Sequence, residues 1–237
     1  MGVESDFIRI ERGISRINLK LKSIDGTEIN GAGPDISPER VEELMEKLDS
    51  LKEGDVLFLA GSIPASMPDD MYERIMKRLE GRGVMTVVDA TKDLLVKVLK
   101  YHPFLVKPNN HELGEIFGVE LKTREDVVPY GKKLQEMGAE NVLISMAGEG
   151  AVLIAANGQV YKKPVPTGTL VNGVGAGDSM VAGFMAGWME KRDYRHAFYM
   201  GIAAGSASAF SENLATGKEV EAVYRQVAGQ KQEGENI

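Results

Sequence analysis

The chain has 237 residues, 43% of them apolar and 27% charged, which suits one soluble globular domain with a large core. Its net charge of −7 argues against a nucleic-acid-binding surface, and the lack of cysteine excludes disulfides and thiolate metal sites. No apolar run approaches a membrane span, residues 2–13 lack the apolar core of a signal peptide, and the cytoplasm is the expected setting.

In chain order, residues 7–10, 14–21 and 28–29 read as short strands, with turns at Arg12-Gly13 and Asp25-Gly26. Ser37-Pro38-Glu39 opens a helix to about residue 51, with Ser as cap and Pro in the first turn. A buried-type strand follows at 55–60, then a helix at about 68–80, a strand at 84–89, a helix at 91–100 and a strand at 104–107. Helices near 110–117 and 123–137 lead to strands at 141–145, 151–155 and 159–163. Helices at about 177–190 and 194–210 and a polar tail close the chain. This alternation predicts an α/β class: a mostly parallel sheet with helices on both faces, in three layers. Ligands of such sheets bind at the carboxyl ends of the strands. No repeat, low-complexity block or linker interrupts residues 1–237, which read as a single domain.

Residues 171–184, VNGVGAGDSMVAGF, carry the most chemistry. Gly173, Gly175 and Gly177 lead into Asp178 and an apolar-periodic helix, so unpaired amides and a positive dipole end form an anion hole. A carboxylate there would repel a merely stored phosphate. It makes sense as a base that takes a proton from a hydroxyl while the amides stabilise a transferring phosphoryl group. A tight turn with Asp as helix cap is the plainer reading of the same residues. Three other motifs fit worse. A Walker loop requires a lysine after the glycines, a dinucleotide fingerprint requires glycine at position 178, and a hydrolase elbow requires Ser179 between glycines. A GDS-type esterase built on Ser179 lacks a histidine motif to partner it.

Two further segments stand upstream on predicted strand ends: Val106-Lys107-Pro108-Asn109-Asn110-His111-Glu112 and Ser145-Met146-Ala147-Gly148-Glu149-Gly150. Asn109 and Glu112 alone read as a capping pair or as ligands of a hydrated cation, and residues 145–150 as a hairpin turn. With Gly-Ala-Gly-Asp at 175–178 and Asn172 before it, these segments resemble the signatures of the ribokinase-like sugar kinases of the phosphofructokinase B (PfkB) family. The resemblance runs along essentially the whole chain, with Ala147 where many relatives carry glycine.

The resemblance implies ATP as phosphoryl donor and Mg²⁺ as cofactor. Asp178 becomes the catalytic base, and the amides of Gly175, Ala176 and Gly177 the anion hole. Lys107, which as an isolated lysine reads as solvated, and Asn109 meet the nucleotide phosphates, Glu112 the metal, and Ser145, Met146, Ala147, Gly148, Glu149 and Gly150 the nucleotide by backbone contact. Ile202 and Ser206, in the small-residue stretch 201–206, line the adenine pocket, with close helix packing as the alternative. Gly61-Ser62-Ile63-Pro64 resembles a substrate loop with Ser62 on the sugar. Arg16 takes the substrate phosphate or, as a strand residue, points to solvent. His102, His111 and His196 show no ligand spacing.

Within the family, GAGPDIS (31–37), KPNNHELGEIFG (107–118), SMAGEGA (145–151) and NGVGAGDSMVAGF (172–184) resemble the branch that converts fructose 1-phosphate to fructose 1,6-bisphosphate. The tagatose-6-phosphate and 6-phosphofructokinase branches stand beside it. Relatives open with a strand bearing a substrate-binding Asp and a Gly-Gly-Lys/Asn-Gly-x-Asn motif, neither of which occurs here. The chain is therefore expected to be truncated at its N-terminus, with residues 1–35 as strands adjoining the lid. Two expectations stay open: an active phosphosugar kinase, or a silent nucleotide-binding remnant. The expected partners are a phosphosugar and ATP, without nucleic acid or membrane, and a homodimer is an open expectation.

Overall fold

An extended segment becomes a strand only where a neighbour accepts its backbone hydrogen bonds. In the computed structural model, which describes residues 2–20 and 28–229, residues 7–10 form no strand, and 14–21 contributes only β1 (Asn18–Lys20). β1 pairs antiparallel with β2 (Glu28–Asn30), Leu19 opposite Ile29. Residues 7–10 have the composition of a strand but no ladder to join, and Phe7 is 87% exposed. The predicted turn at residues 25–26 lies outside the described residues.

The chain divides into two compact units, Met1–Leu57 with Gly61–Met85, and Phe58–Ala60 with Thr86–Ile237. The first holds β1, β2, α1 (Pro38–Leu48) and α2 (Met71–Leu79). Pro38 is the first helical residue after Ser37, where its missing N–H is harmless. α2 starts later than predicted because the Met71 amide donates to the Pro68 carbonyl in a turn (3.1 Å). The apolar stripe of α2 (Met71, Tyr72, Ile75, Met76, Leu79) is buried, and Arg78 grips Asp49 with two hydrogen bonds of 2.8 and 2.5 Å.

A six-stranded sheet, which apart from Val56, Leu57 and Met85 belongs to the second unit, has the order β3 (Val56–Ala60), β4 (Met85–Asp89), β5 (Leu105–Val106), β6 (Asn141–Ser145), β7 (Ala151–Ile154), β8 (Val160–Lys163). The helices of the second unit are α3 (Lys92–Val98), α4 (Asn110–Phe117), α5 (Arg124–Glu136), α6 (Ala176–Lys191), α7 (Tyr194–Ala209) and α8 (Gly217–Gly229). β4, β5 and β6 run parallel through helical crossovers. β7 and β8 are antiparallel, because the turns that join them to the sheet are too short for a crossover.

Register shows why helices cover both faces. Leu153 is opposite Tyr161 and Ala151 opposite Lys163, so these side chains share a face; Tyr161 meets Phe198 and Lys163 lies over the Tyr199 ring, both on α7. Ile154 and Ile144 project from the other face, where a Cβ on Gly131 of α5 would meet them at 2.8 and 3.0 Å. The expected three layers are present.

The predicted polar tail is corrected by α8. Val223 and Val227 recur at helical spacing and are buried, α8 lies against α7, and the Glu219 carboxylate accepts the Thr216 amide (2.7 Å). The Thr-x-x-Glu start was visible in the sequence.

α6 and α7 approach closely through glycines. A Cβ on Gly183 would lie 2.6 Å from both the Met200 carbonyl and the Ala204 Cβ, and one on Gly201 3.0 Å from the Met180 carbonyl. Gly183→Ala is expected to remove about 2 kcal/mol of stability, as overpacked cores do. Thermal unfolding checks this, and an unchanged midpoint would mean that the helices separate without loss.

Candidate active site

In the second unit, the loop before α6 is shaped by its own side chains. The Val171 and Asn172 amides donate to the Ala209 carbonyl (2.9 and 3.1 Å), the Asn172 Nδ2 donates to the Glu212 carbonyl, and the Asn172 Oδ1 accepts the Val174 amide. Gly175 caps α6 with φ of 78°, and a Cβ there would lie 2.7 Å from Leu214 Cδ2, so both conformation and space call for glycine. Asp178 sits in the first turn, exposed. Sequence reasoning placed three amides in the anion hole. The Ala176 amide instead closes a 3.3 Å turn bond to the Gly173 carbonyl. Among the described residues, the Gly175, Gly177 and Asp178 amides donate to no backbone carbonyl. Ser179, the esterase candidate, accepts a hydrogen bond from Ser208 (2.9 Å) rather than meeting a histidine.

Lys107 is the decisive neighbour. It leaves the end of β5 with only 7% exposure, and its Nζ lies 3.4 Å from where a Gly177 Cβ would be. It is neither solvated nor unpaired: Asp89, at the end of β4, holds it at 3.1 Å. A cation beside the positive end of a helix dipole opposes the usual preference. Here it concentrates positive potential at the amides, with Asp89 as counterion. Burial pushes the Asp89 carboxyl above its ordinary range; Lys107 opposes that rise, and the charges of Asp178 and Glu112 add to it. Asp89 was missed in the sequence. Its signal was an acid ending an apolar run, MTVVD, at the sheet's carboxyl edge.

Asn109 and Glu112 form the capping box that the sequence offered as one reading. The Asn109 Oδ1 accepts the Glu112 amide and the Glu112 Oε2 accepts the Asn109 amide, both at 2.8 Å. Glu112 Oε1 makes no hydrogen bond among the described residues. An isolated parallel bridge joins Asn109 to Ser145, whose amide donates to the Pro108 carbonyl (3.2 Å), so the two upstream motifs lie side by side. After Ser145 the backbone turns through Met146, Ala147, Gly148 and Glu149 to Gly150. Ala147 holds φ of 45°, a left-handed conformation that costs about 1–2 kcal/mol for a residue with a Cβ. A Cβ on Gly150 would overlap the Lys163 carbonyl.

Ile202 and Ser206 are buried, at 2% and 8% exposure, and their neighbours Gly201 and Gly205 serve helix packing against α6. In the first unit, two residues read from separate motifs meet: the Arg16 Nη1 donates to the Ser62 Oγ (2.6 Å), and its Nε to the Asn18 Oδ1 (2.7 Å). Both Arg16 and Ser62 are exposed.

Comparison with known proteins bears on this arrangement. The family model described as pfkB family carbohydrate kinase matches residues 1–221. A 1-phosphofructokinase of Bacillus subtilis is 50% identical over 216 residues, 91% of this chain and 71% of its own length. A D-tagatose-1-phosphate kinase of Bacillus licheniformis is 36% identical over 217 residues, 90% of this chain and 69% of its own. The crystal structure of phosphofructokinase-2 from Escherichia coli in complex with fructose-6-phosphate shares the fold, with a TM-score of 0.78 at 22% identity over 90% of this chain and 70% of that one. Sequence and architecture agree: the chain belongs to the pfkB family of carbohydrate kinases.

Proposed function

We propose that this chain transfers the γ-phosphoryl group of ATP to the 6-hydroxyl of a ketohexose 1-phosphate, fructose 1-phosphate first. The observation that carries this reading is a buried lysine whose Nζ lies 3.4 Å from the place of a Gly177 Cβ, at a helix N-terminus where the Gly175, Gly177 and Asp178 amides, among the described residues, donate to no backbone carbonyl and the Asp178 carboxylate is exposed. Lys107 and the Gly175 and Gly177 amides take the charge of the transferring group, and Asp178 accepts the proton of the hydroxyl. The hydroxyl oxygen bonds to the γ-phosphorus as its bond to the β–γ bridging oxygen breaks, and ADP leaves. The turn from Ser145 to Gly150 receives the nucleotide by backbone amides, and Ile202 and Ser206 lie behind its base. Arg16 binds the substrate phosphate and Ser62 a sugar hydroxyl.

Among the described residues no three His, Asp or Glu side chains gather as a metal cage. Mg²⁺ keeps most of its waters and needs few protein ligands, so the uncommitted Glu112 Oε1 is a fitting hard donor. When bound with the nucleotide, the ion would neutralise phosphate charge. No helix among the described residues is long and apolar enough to cross a membrane.

The two curated relatives are named for 1-phosphate ketohexoses, which is why fructose 1-phosphate leads and tagatose 1-phosphate follows. The test is ADP release by this chain with fructose 1-phosphate, tagatose 1-phosphate, fructose 6-phosphate and tagatose 6-phosphate. Fastest turnover is expected with fructose 1-phosphate. Turnover confined to a 6-phosphate overturns the substrate assignment, and ATP binding without any turnover supports a silent nucleotide-binding module.

A further inference from the structure

We propose that Arg124 is a positioning residue for the nucleotide turn, acting through the backbone carbonyl of Glu149; this rests on the ATP reading above. The turn from Met146 to Gly150 has internal bonds from the Met146, Glu149 and Gly150 amides. They leave the Ala147 and Gly148 amides without a backbone acceptor among the described residues. Those two are the donors that the turn can offer a ligand. Their direction depends on Ala147 staying left-handed, a state that persists only where surroundings over-determine it.

Arg124 supplies that constraint from outside the turn. Its Nη1 donates to the Glu149 carbonyl at 2.5 Å, and its side chain is only 15% exposed. The Glu149 carboxylate is farther away, at 3.6 Å, and well exposed, so the carbonyl is the contact that fixes geometry. A charged donor makes the stronger kind of hydrogen bond. The base of the brace is itself rigid. Arg124 is the first residue of α5 and lies within a complete capping box, in which Thr123 Oγ1 accepts the Asp126 amide and Asp126 Oδ2 accepts the Thr123 amide. The next residue, Glu125, ties α5 to β8 through Lys162 at 3.0 Å without touching the turn. One helix start thus makes two separable contacts, one to the turn and one to the sheet.

The experiment measures Mg·ATP binding to the full chain by calorimetry for the unsubstituted protein, Arg124→Ala, Arg124→Lys and Glu125→Ala, with thermal midpoints beside each. Arg124→Ala is expected to weaken ATP binding about tenfold, a fraction of what a charge-assisted hydrogen bond can carry. Arg124→Lys, which keeps a charged donor, should recover part of the loss. Glu125→Ala should bind within about twofold of the unsubstituted chain, as surface ion pairs contribute little. Faster hydrogen exchange at the Ala147 and Gly148 amides in Arg124→Ala is the structural counterpart. Undiminished ATP binding in Arg124→Ala, or an equal loss in Glu125→Ala, overturns the brace while leaving the kinase reading intact. Failure of the unsubstituted chain to bind ATP overturns that reading and the brace with it.

Discussion

Asp178→Asn is expected to lower turnover by about 10²–10⁴, the usual worth of a general base, with ATP binding retained. Asparagine keeps the size of the side chain and its place in the first turn of α6, so loop and helix should be undisturbed. What it lacks is a site for the hydroxyl proton. In the proposed reaction the carboxylate stands where phosphate charge would arrive, so its removal should leave ATP affinity equal or slightly higher. Single-turnover rates with fructose 1-phosphate, read beside ATP dissociation constants, separate the two effects. Near-normal turnover would remove Asp178 from the mechanism and leave it as an acid in the first turn of α6 that favours the helix dipole.

The sequence made local features legible where one principle dominated. α4 and β6 have the predicted bounds because a capping box, and a short apolar run (Val142–Ile144) between two polar residues, leave little competition. The strand at residues 7–10 failed because composition does not supply a hydrogen-bonding neighbour. α8 was overlooked because its polar surface outweighs a narrow apolar stripe in the reading of a tail. At the site, the motif residues and their order were readable, but their pairing was not. Nothing local in SMAGEG points to Arg124, and nothing in the Lys107 segment points to Asp89, 18 positions earlier (107 − 89). Strand order brings the ends of β4 and β5 together, and only then do the acid and the lysine become a pair. The Ala176 amide was lost to a turn bond that depends on the loop's closure against α7.

The Asp89–Lys107 pair gives the second large effect. Lys107→Met should abolish measurable ATP binding and also destabilise the fold by about 2 kcal/mol at neutral pH, below the roughly 3–5 kcal/mol of a fully buried broken pair because Asp89 is 20% exposed. The two losses have different pH dependence. Asp89 is an acid whose folded-state carboxyl lies above its ordinary value of 3.8 through burial, with Lys107 as the first opposing influence. Below 3.8 it is protonated in both folded and unfolded chains and contributes no pH-dependent loss. As pH rises from 3.8 to the raised folded value, the unfolded chain gives up the proton first, so stability falls across that window and stays lower above it. Removing Lys107 removes the influence that limits the rise, and leaves Asp178 and Glu112 to push it further. The window widens and the fall deepens. Urea unfolding at about pH 4 and pH 7 should therefore show the Lys107→Met variant near the unsubstituted chain at the lower pH and well below it at the higher. Adding Asp89→Asn should restore most of the stability at pH 7 and none of the ATP binding, since the cation at the amides is still missing. Equal destabilisation at both pH values, unrelieved by Asp89→Asn, would show that Lys107 acts by packing alone. In that case the positive charge beside Gly177 would not depend on Asp89 for its tolerance in the fold.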